Sequence, residues 1–140
     1  NGLHLKTLTT SQYGSTNRLI ENYQRASNLY PKEFRSALDQ FLDITQSLSN
    51  AWKSEDVDLI IDLLRAYDVQ IKKLDKIGDI GIYTQVHADI QNIASTHNVF
   101  YKPSGAGGGD IGLAFSSSLD ALSDFSDAIG TDAWNIGCLD

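Results

Sequence analysis

Apolar positions along this chain recur mainly at helical spacing, with β-prone runs at the start, in the last third and at the end. The opening LHLKTLTT sets Leu3, Leu5 and Leu8 among polar neighbours and reads as a strand entering SQYGS. Ser15 then stands where a helix N-cap belongs, ahead of Leu19, Ile20, Tyr23 and Ala26, for a short amphipathic helix running to about Asn28. Pro31 suits the first turn of a second helix, with Phe34, Leu38, Phe41, Leu42, Thr45, Leu48 and Trp52 as its stripe. A third helix is expected behind Ser54 as cap, with Glu55 and Asp56 in its first turn. Val57, Ile60, Ile61, Leu64, Ile71 and Leu74 lie on its apolar face, Lys72, Lys73 and Lys76 suit its dipole, and Gly78 suits the position after its end. The second and third helices are expected to carry the core.

After DIGIY, Thr84 is placed to cap a fourth helix with Val86, Ile90, Ile93 and Ala94 inward. NVFY is too short and too β-prone for a helix, IGLAFSS reads as another strand, SLDALSDFSDAI as a fifth helix capped by Ser118, and AWNIGCL as a last strand. The order β, four helices, ββ, α, β predicts an α+β domain: a small, mostly antiparallel sheet with helices packed on one side. At 140 residues, positions 1–140 are expected to form one domain.

Charge and composition remove several function classes. The net charge of −7 and scattered Lys and Arg argue against nucleic acid as a partner. No apolar run approaches a membrane span, so no membrane partner is expected. A single cysteine, Cys138, excludes an internal disulfide and makes a cytoplasmic location the default. The start at Asn1 and the lack of any methionine read as a piece of a longer polypeptide. His4, His87 and His97 have no metal-ligand spacing and read as surface or packing histidines, so no metal site is expected from them.

The unusual segment is KPSGAGGGDIG, residues 102–112, which holds five of the eleven glycines. Gly107, Gly109 and Gly112 satisfy G-x-G-x-x-G, but that fingerprint needs a helix opening inside it, and a strand-like run follows instead. No Gly-Lys-Ser/Thr ends the run, so it is not a Walker A loop, and strong β-prone flanks argue against a flexible linker. Two readings stay open on residues alone. Successive glycines can turn their N–H groups to one side as an anion-binding nest, or they can make a turn that packs closely on a neighbouring helix.

KPSGAGGGDIGLAF resembles the third signature motif of the GHMP kinase superfamily, and Lys-Pro-Ser before the glycines with Asp after them is most similar to the phosphomevalonate kinases. GIYTQVHADIQNIA resembles the helix leading into that motif, TTSQYGSTNRLIENY the segment carrying a strand, a Ser-Thr pair and a helix, and AWNIGCLD the terminal Trp-x-x-Gly-Ile-x-x-Leu pattern. Departures are Ile111 where Cys is common, and Ile136 and Gly137 in reversed order. The resemblance covers nearly the whole chain, as the C-terminal half only. It implies a ferredoxin-like core and transfer of the ATP γ-phosphoryl to 5-phosphomevalonate, giving 5-diphosphomevalonate for isoprenoid synthesis.

By the same resemblance, ATP and Mg²⁺ would be held mainly by an N-terminal half with a Ser-rich phosphate loop, and that half and a small phosphorylated substrate would be the partners. Ser104, Gly105, Ala106, Gly107, Gly108, Gly109 and Asp110 would line the interface with the nucleotide loop, and no residue is assigned as catalytic. Lys102 is either a further phosphate contact or a solvated strand-end lysine, Asp110 either an orienting group or a local hydrogen-bonding residue, and Ser15 either an anion contact at a helix start or a plain cap. Another GHMP kinase, such as a mevalonate kinase, and a non-catalytic ligand-binding α+β module are the alternatives.

Overall fold

The computed structural model describes residues 2–10, 12–105, 107–109, 111–130 and 134–137. Ala106, Asp110 and Cys138 lie outside the described residues. The elements are β1 (His4–Thr10), α1 (Thr16–Leu29), α2 (Pro31–Lys53), α3 (Val57–Gly78), α4 (Gln85–Thr96), β2 (Phe100–Pro103), β3 (Ile111–Ser116), α5 (Leu119–Ile129) and β4 (Trp134–Gly137). They divide into two compact units, one made of Asn1–Thr16 with Ile82–Asp140 and the other of Asn17–Gly81.

The first unit holds a four-stranded sheet in the order β2-β3-β1-β4, with every neighbouring pair antiparallel. Register sets Leu8 opposite Gly112 and Ile136, and Tyr101 opposite Ala114. Leu8, Tyr101 and Ala114 share a buried cluster with Ile90 and Ala94 of α4, Val99, and Leu122, Phe125 and Ile129 of α5. Helices α4 and α5 thus cover that face of the sheet, which gives the expected α+β, ferredoxin-like arrangement. On the alternate positions, Phe100 and Phe115 stack with ring centroids 6.0 Å apart. Ser118 caps α5 as expected, its hydroxyl accepting from Ala121 N–H at 3.2 Å, while Ser116 accepts from Ser118 N–H. The serine run at 116–118 therefore ends a strand and starts a helix.

The second unit is built on α2 and α3, joined by three residues. Its seam is narrower than the expected stripe. Phe34, Phe41, Ile44, Leu48 and the alanines 37 and 51 are buried or half-buried, at alternating steps of three and four, whereas Leu38, Leu42 and Trp52 are exposed. That spacing is the a/d pattern of one helix packed along another, which needs two positions in seven rather than a broad face. Phe41 meets Tyr67 across the seam at 4.7 Å. The expectation that these two helices carry the core is thus corrected, because most of the largest fully buried side chains belong to the sheet, α4 and α5.

Two helix ends also differ from the sequence reading. Ser54 closes α2, its hydroxyl donating to Ala51 O, and Asp56 is the N-cap of α3, accepting from Leu59 N–H at 3.1 Å. Gly78 is the last residue of α3, and Asp79 takes the left-handed capping conformation at φ 47°. Gly78 is needed for packing instead: a Cβ there would stand 2.5 Å from Ala26 Cβ of α1. The close approach lets Arg25 reach the carbonyls of Gly78 and Asp79, and Asn22 that of Ile80, which satisfies chain-end acceptors of α3.

Candidate functional site

The glycine loop is the tip of the β2–β3 hairpin. Pro103 pairs with Gly112, and Ser104 N–H donates to Ile111 O at 2.9 Å, closing the stem. Gly105, Gly107, Gly108 and Gly109 sit at φ of 63°, 81°, 79° and 113°. L residues with a Cβ reach this region only at a cost of roughly 1–2 kcal/mol, so the backbone course itself calls for glycine. No helix opens within the run, which agrees with rejecting the dinucleotide fingerprint.

The loop rests on two other segments of the same unit. A Cβ on Gly107 would lie 2.6 Å from Ile82 Cγ2 and 2.9 Å from Ile82 O, and Gly108 N–H donates to that carbonyl at 3.0 Å. On Gly109 it would stand 3.0 Å from Gln12 and 3.7 Å from Thr84 Oγ1. On Gly14 it would come within 2.8 Å of Gly107 O and 3.1 Å of Gly108 O. Residues 12–14, 82–84 and 107–109 therefore form a three-part clasp, with backbone against backbone at Gly14 and Ile82 and the Gln12 and Thr84 side chains against Gly109.

Gly105 is different. It is exposed, a Cβ there would meet nothing within 4 Å, and among the described residues its N–H has no hydrogen-bond partner. The N–H of the buried Gly109 is likewise unpaired among the described residues, whereas those of Gly107 and Gly108 are bonded to Ser104 O and Ile82 O. Thr84 precedes α4 as expected, but its hydroxyl makes no cap bond. It is buried next to Gly109, without a partner among the described residues. Among the described residues the loop thus carries unpaired donors at the exposed Gly105 and the buried Gly109, a chemistry suited to an anion, beside the start of α4.

Of the other residues singled out, Lys102 is half-buried and donates to Pro103 O at 2.6 Å, so its ammonium is turned onto its own strand end. Ser15 is exposed at the step before α1. Gln12, Gly14, Ile82 and Thr84 were not singled out for the site by sequence reasoning. The signal available was an isolated glycine in SQYGS, which by itself only marks a turn. Among the described residues no three His, Cys, Asp or Glu side chains gather as a metal site, and no helix is long and apolar enough to cross a membrane.

No family model matches the chain. It is 28% identical over 120 residues to a phosphomevalonate kinase of Streptomyces sp. (strain CL190), covering 86% of this chain and 31% of that protein. The chain thus spans about a third of that curated relative. Among solved structures, L. major mevalonate kinase in complex with R-mevalonate matches with TM-score 0.83 and 21% identity, over 97% of this chain and 41% of that one. Streptococcus pneumoniae phosphomevalonate kinase in complex with phosphomevalonate and AMPPNP matches with TM-score 0.78 and 17% identity, over 98% of this chain and 40% of that one. These likenesses establish the fold, and with the curated relative they bear out the resemblance to the C-terminal part of a GHMP-superfamily kinase.

Proposed function

We propose that this chain is the C-terminal domain of a GHMP kinase that transfers the γ-phosphoryl of ATP to 5-phosphomevalonate, with residues 1–140 as one domain and 17–81 inserted between β1 and α4. The observation that carries the reading is the donor at the tip of the glycine loop, where the exposed Gly105 at φ 63° has, among the described residues, neither a steric neighbour nor a bond for its N–H. Phosphoryl transfer demands mainly positioning and charge neutralisation, and fixed backbone donors supply both without reorganising during the reaction. In this account Gly105 and Gly109 donate to phosphate oxygens. Ser104, Ala106 and Asp110 flank them, Gly107 and Gly108 hold the loop to residue 82, and Lys102 and Ser15 add positive charge and a hydroxyl at its margins.

The loop fits the phosphate part of ATP, since its unpaired donors are those an anion requires. Mg²⁺ is assigned to the N-terminal half of the enzyme, as the resemblance implies. Catalytic groups are assigned to that half as well.

One observation favours a second reading. Close contacts with Ile82, Gln12 and Gly14 account for Gly107 and Gly109 without any ligand, as expected for a non-catalytic module whose loop only packs. Gly105 bears on the choice through its N–H, which has no partner among the described residues, since the left-handed backbone already accounts for its being glycine. Gly105→Ala keeps the N–H but strains a left-handed residue by roughly 1–2 kcal/mol, so in the full-length, still folded protein it is expected to misaim that donor and lower kcat by about tenfold or more. Unchanged turnover in that variant would remove the loop from the phosphate site. Parallel assays with phosphomevalonate and mevalonate decide the acceptor.

A further inference from the structure

We infer that His87 and Tyr101 form an internal tie that holds the glycine loop in place, which makes both positioning residues for the phosphoryl transfer proposed above. The inference rests on that functional reading.

His87 lies in the first turn of α4 and Tyr101 in β2, at 0% and 2% exposure, next to an apolar cluster. Their Nδ1 and Oη share a hydrogen bond at 2.9 Å. Burial lowers the imidazole pKa and raises that of the phenol, so both are neutral around pH 7. His87 Nε2 is buried with no partner among the described residues. A pair that leaves one polar group unsatisfied is a poor way to stabilise a core, where an apolar pair of similar shape does as well or better. What the pair adds is direction.

That direction bears on the loop. The Tyr101 ring crosses from β2 over the first positions of β3: a Cβ on Gly112 would fall 1.9 Å from Tyr101 Oη and 2.2 Å from Cζ. Gly112 is thus a glycine because the phenol occupies its side-chain space, and that path brings the hydroxyl to α4. Gln91, one turn along the same helix, donates to Tyr101 O at 3.0 Å. Helix α4 therefore grips the stem of the hairpin through His87 and Gln91, and the segment entering it grips the tip through Ile82. A shift of α4 against β2 would carry the donors at Gly105 and Gly109 with it.

The test uses the full-length protein with Tyr101→Phe and with the double variant His87→Leu/Tyr101→Phe, which removes both polar partners and keeps the volume close. Amide exchange at Gly107 to Gly109 and steady-state kinetics with ATP and phosphomevalonate are measured together. In the double variant, the unfolding temperature is expected to stay close to the parent's. Exchange at Gly108 is expected to rise about tenfold, and kcat to fall about tenfold or more with KM for ATP within about twofold.

Unchanged Gly108 exchange in a folded double variant would overturn the tie, and faster exchange with kcat unmoved would overturn the positioning role. If the double variant does not fold, Tyr101→Phe is judged by the same two readouts. A parent protein that turns over no acceptor would refute the kinase reading, while the exchange data would still decide whether the pair holds the loop.

Discussion

Gly14→Ala isolates one physical cost. Glycine is required at 105, 107, 108 and 109 by a left-handed backbone, but Gly14 has no such φ, so a methyl there meets only a space problem. Its Cβ would stand 2.8 Å from Gly107 O, 3.1 Å from Gly108 O and 3.2 Å from Gly108 C. All three are backbone atoms, which cannot swing aside as a side-chain end does. Either residues 12–14 or the loop must move by several tenths of an ångström, and overpacking of that kind costs about 1–3 kcal/mol. Lower entropy in the unfolded chain offsets about 0.4–1 kcal/mol, leaving a net loss centred on about 1.3 kcal/mol and at most about 2.6 kcal/mol. Urea unfolding with two-state analysis reads this directly, and exchange at Gly108 N–H reports whether its bond to Ile82 O loosens. A Gly14→Ala protein as stable as the parent, with unchanged Gly108 exchange, would refute the clasp.

Other substitutions follow from the same geometry. Phe125→Ala, at 0% exposure, should cost about 3–5 kcal/mol, and the half-buried Phe41→Ala clearly less; equal losses in denaturant would restore α2 and α3 as the main core. Asp56→Ala should lose about 0.5–2 kcal/mol through its cap on Leu59, and a Ser54→Ala loss larger than that would show the start of α3 misassigned. For pH, burial depresses the His87 pKa below its ordinary 6.5, so the unfolded chain takes the proton first. Stability is therefore complete above that pH and declines as pH falls below it, and a parent and His87→Leu protein with identical pH profiles would contradict this.

Much of the fold was legible because periodicity reports burial. Leu8, Ile90 and Ala94 announce their faces, and Ser118 with the residues behind it announces α5. The width of the α2 stripe was misread because Leu38, Leu42 and Trp52 satisfy a helical period while lying outside a seam that a long helix pair keeps narrow. Ser54 and Asp56 both have capping side chains, and only the path of the chain, with Glu55 at φ 56°, decides which one starts α3. At the site, the glycine run was conspicuous and its motif resemblance specific. Its partners were hidden, since Gln12 and Thr84 reach it with side-chain atoms and Ile82 with its backbone as well, and a sequence carries no mark of which segments lie against one another.

The central claim is that the glycine loop belongs to a phosphomevalonate-phosphorylating enzyme, and a coupled ATP-consumption assay on the full-length protein addresses it most directly. With Mg²⁺ and ATP present and phosphomevalonate and mevalonate offered separately, the account predicts turnover of phosphomevalonate that collapses in Gly105→Ala. Turnover of mevalonate alone would contradict the acceptor, and no turnover with either would contradict the kinase.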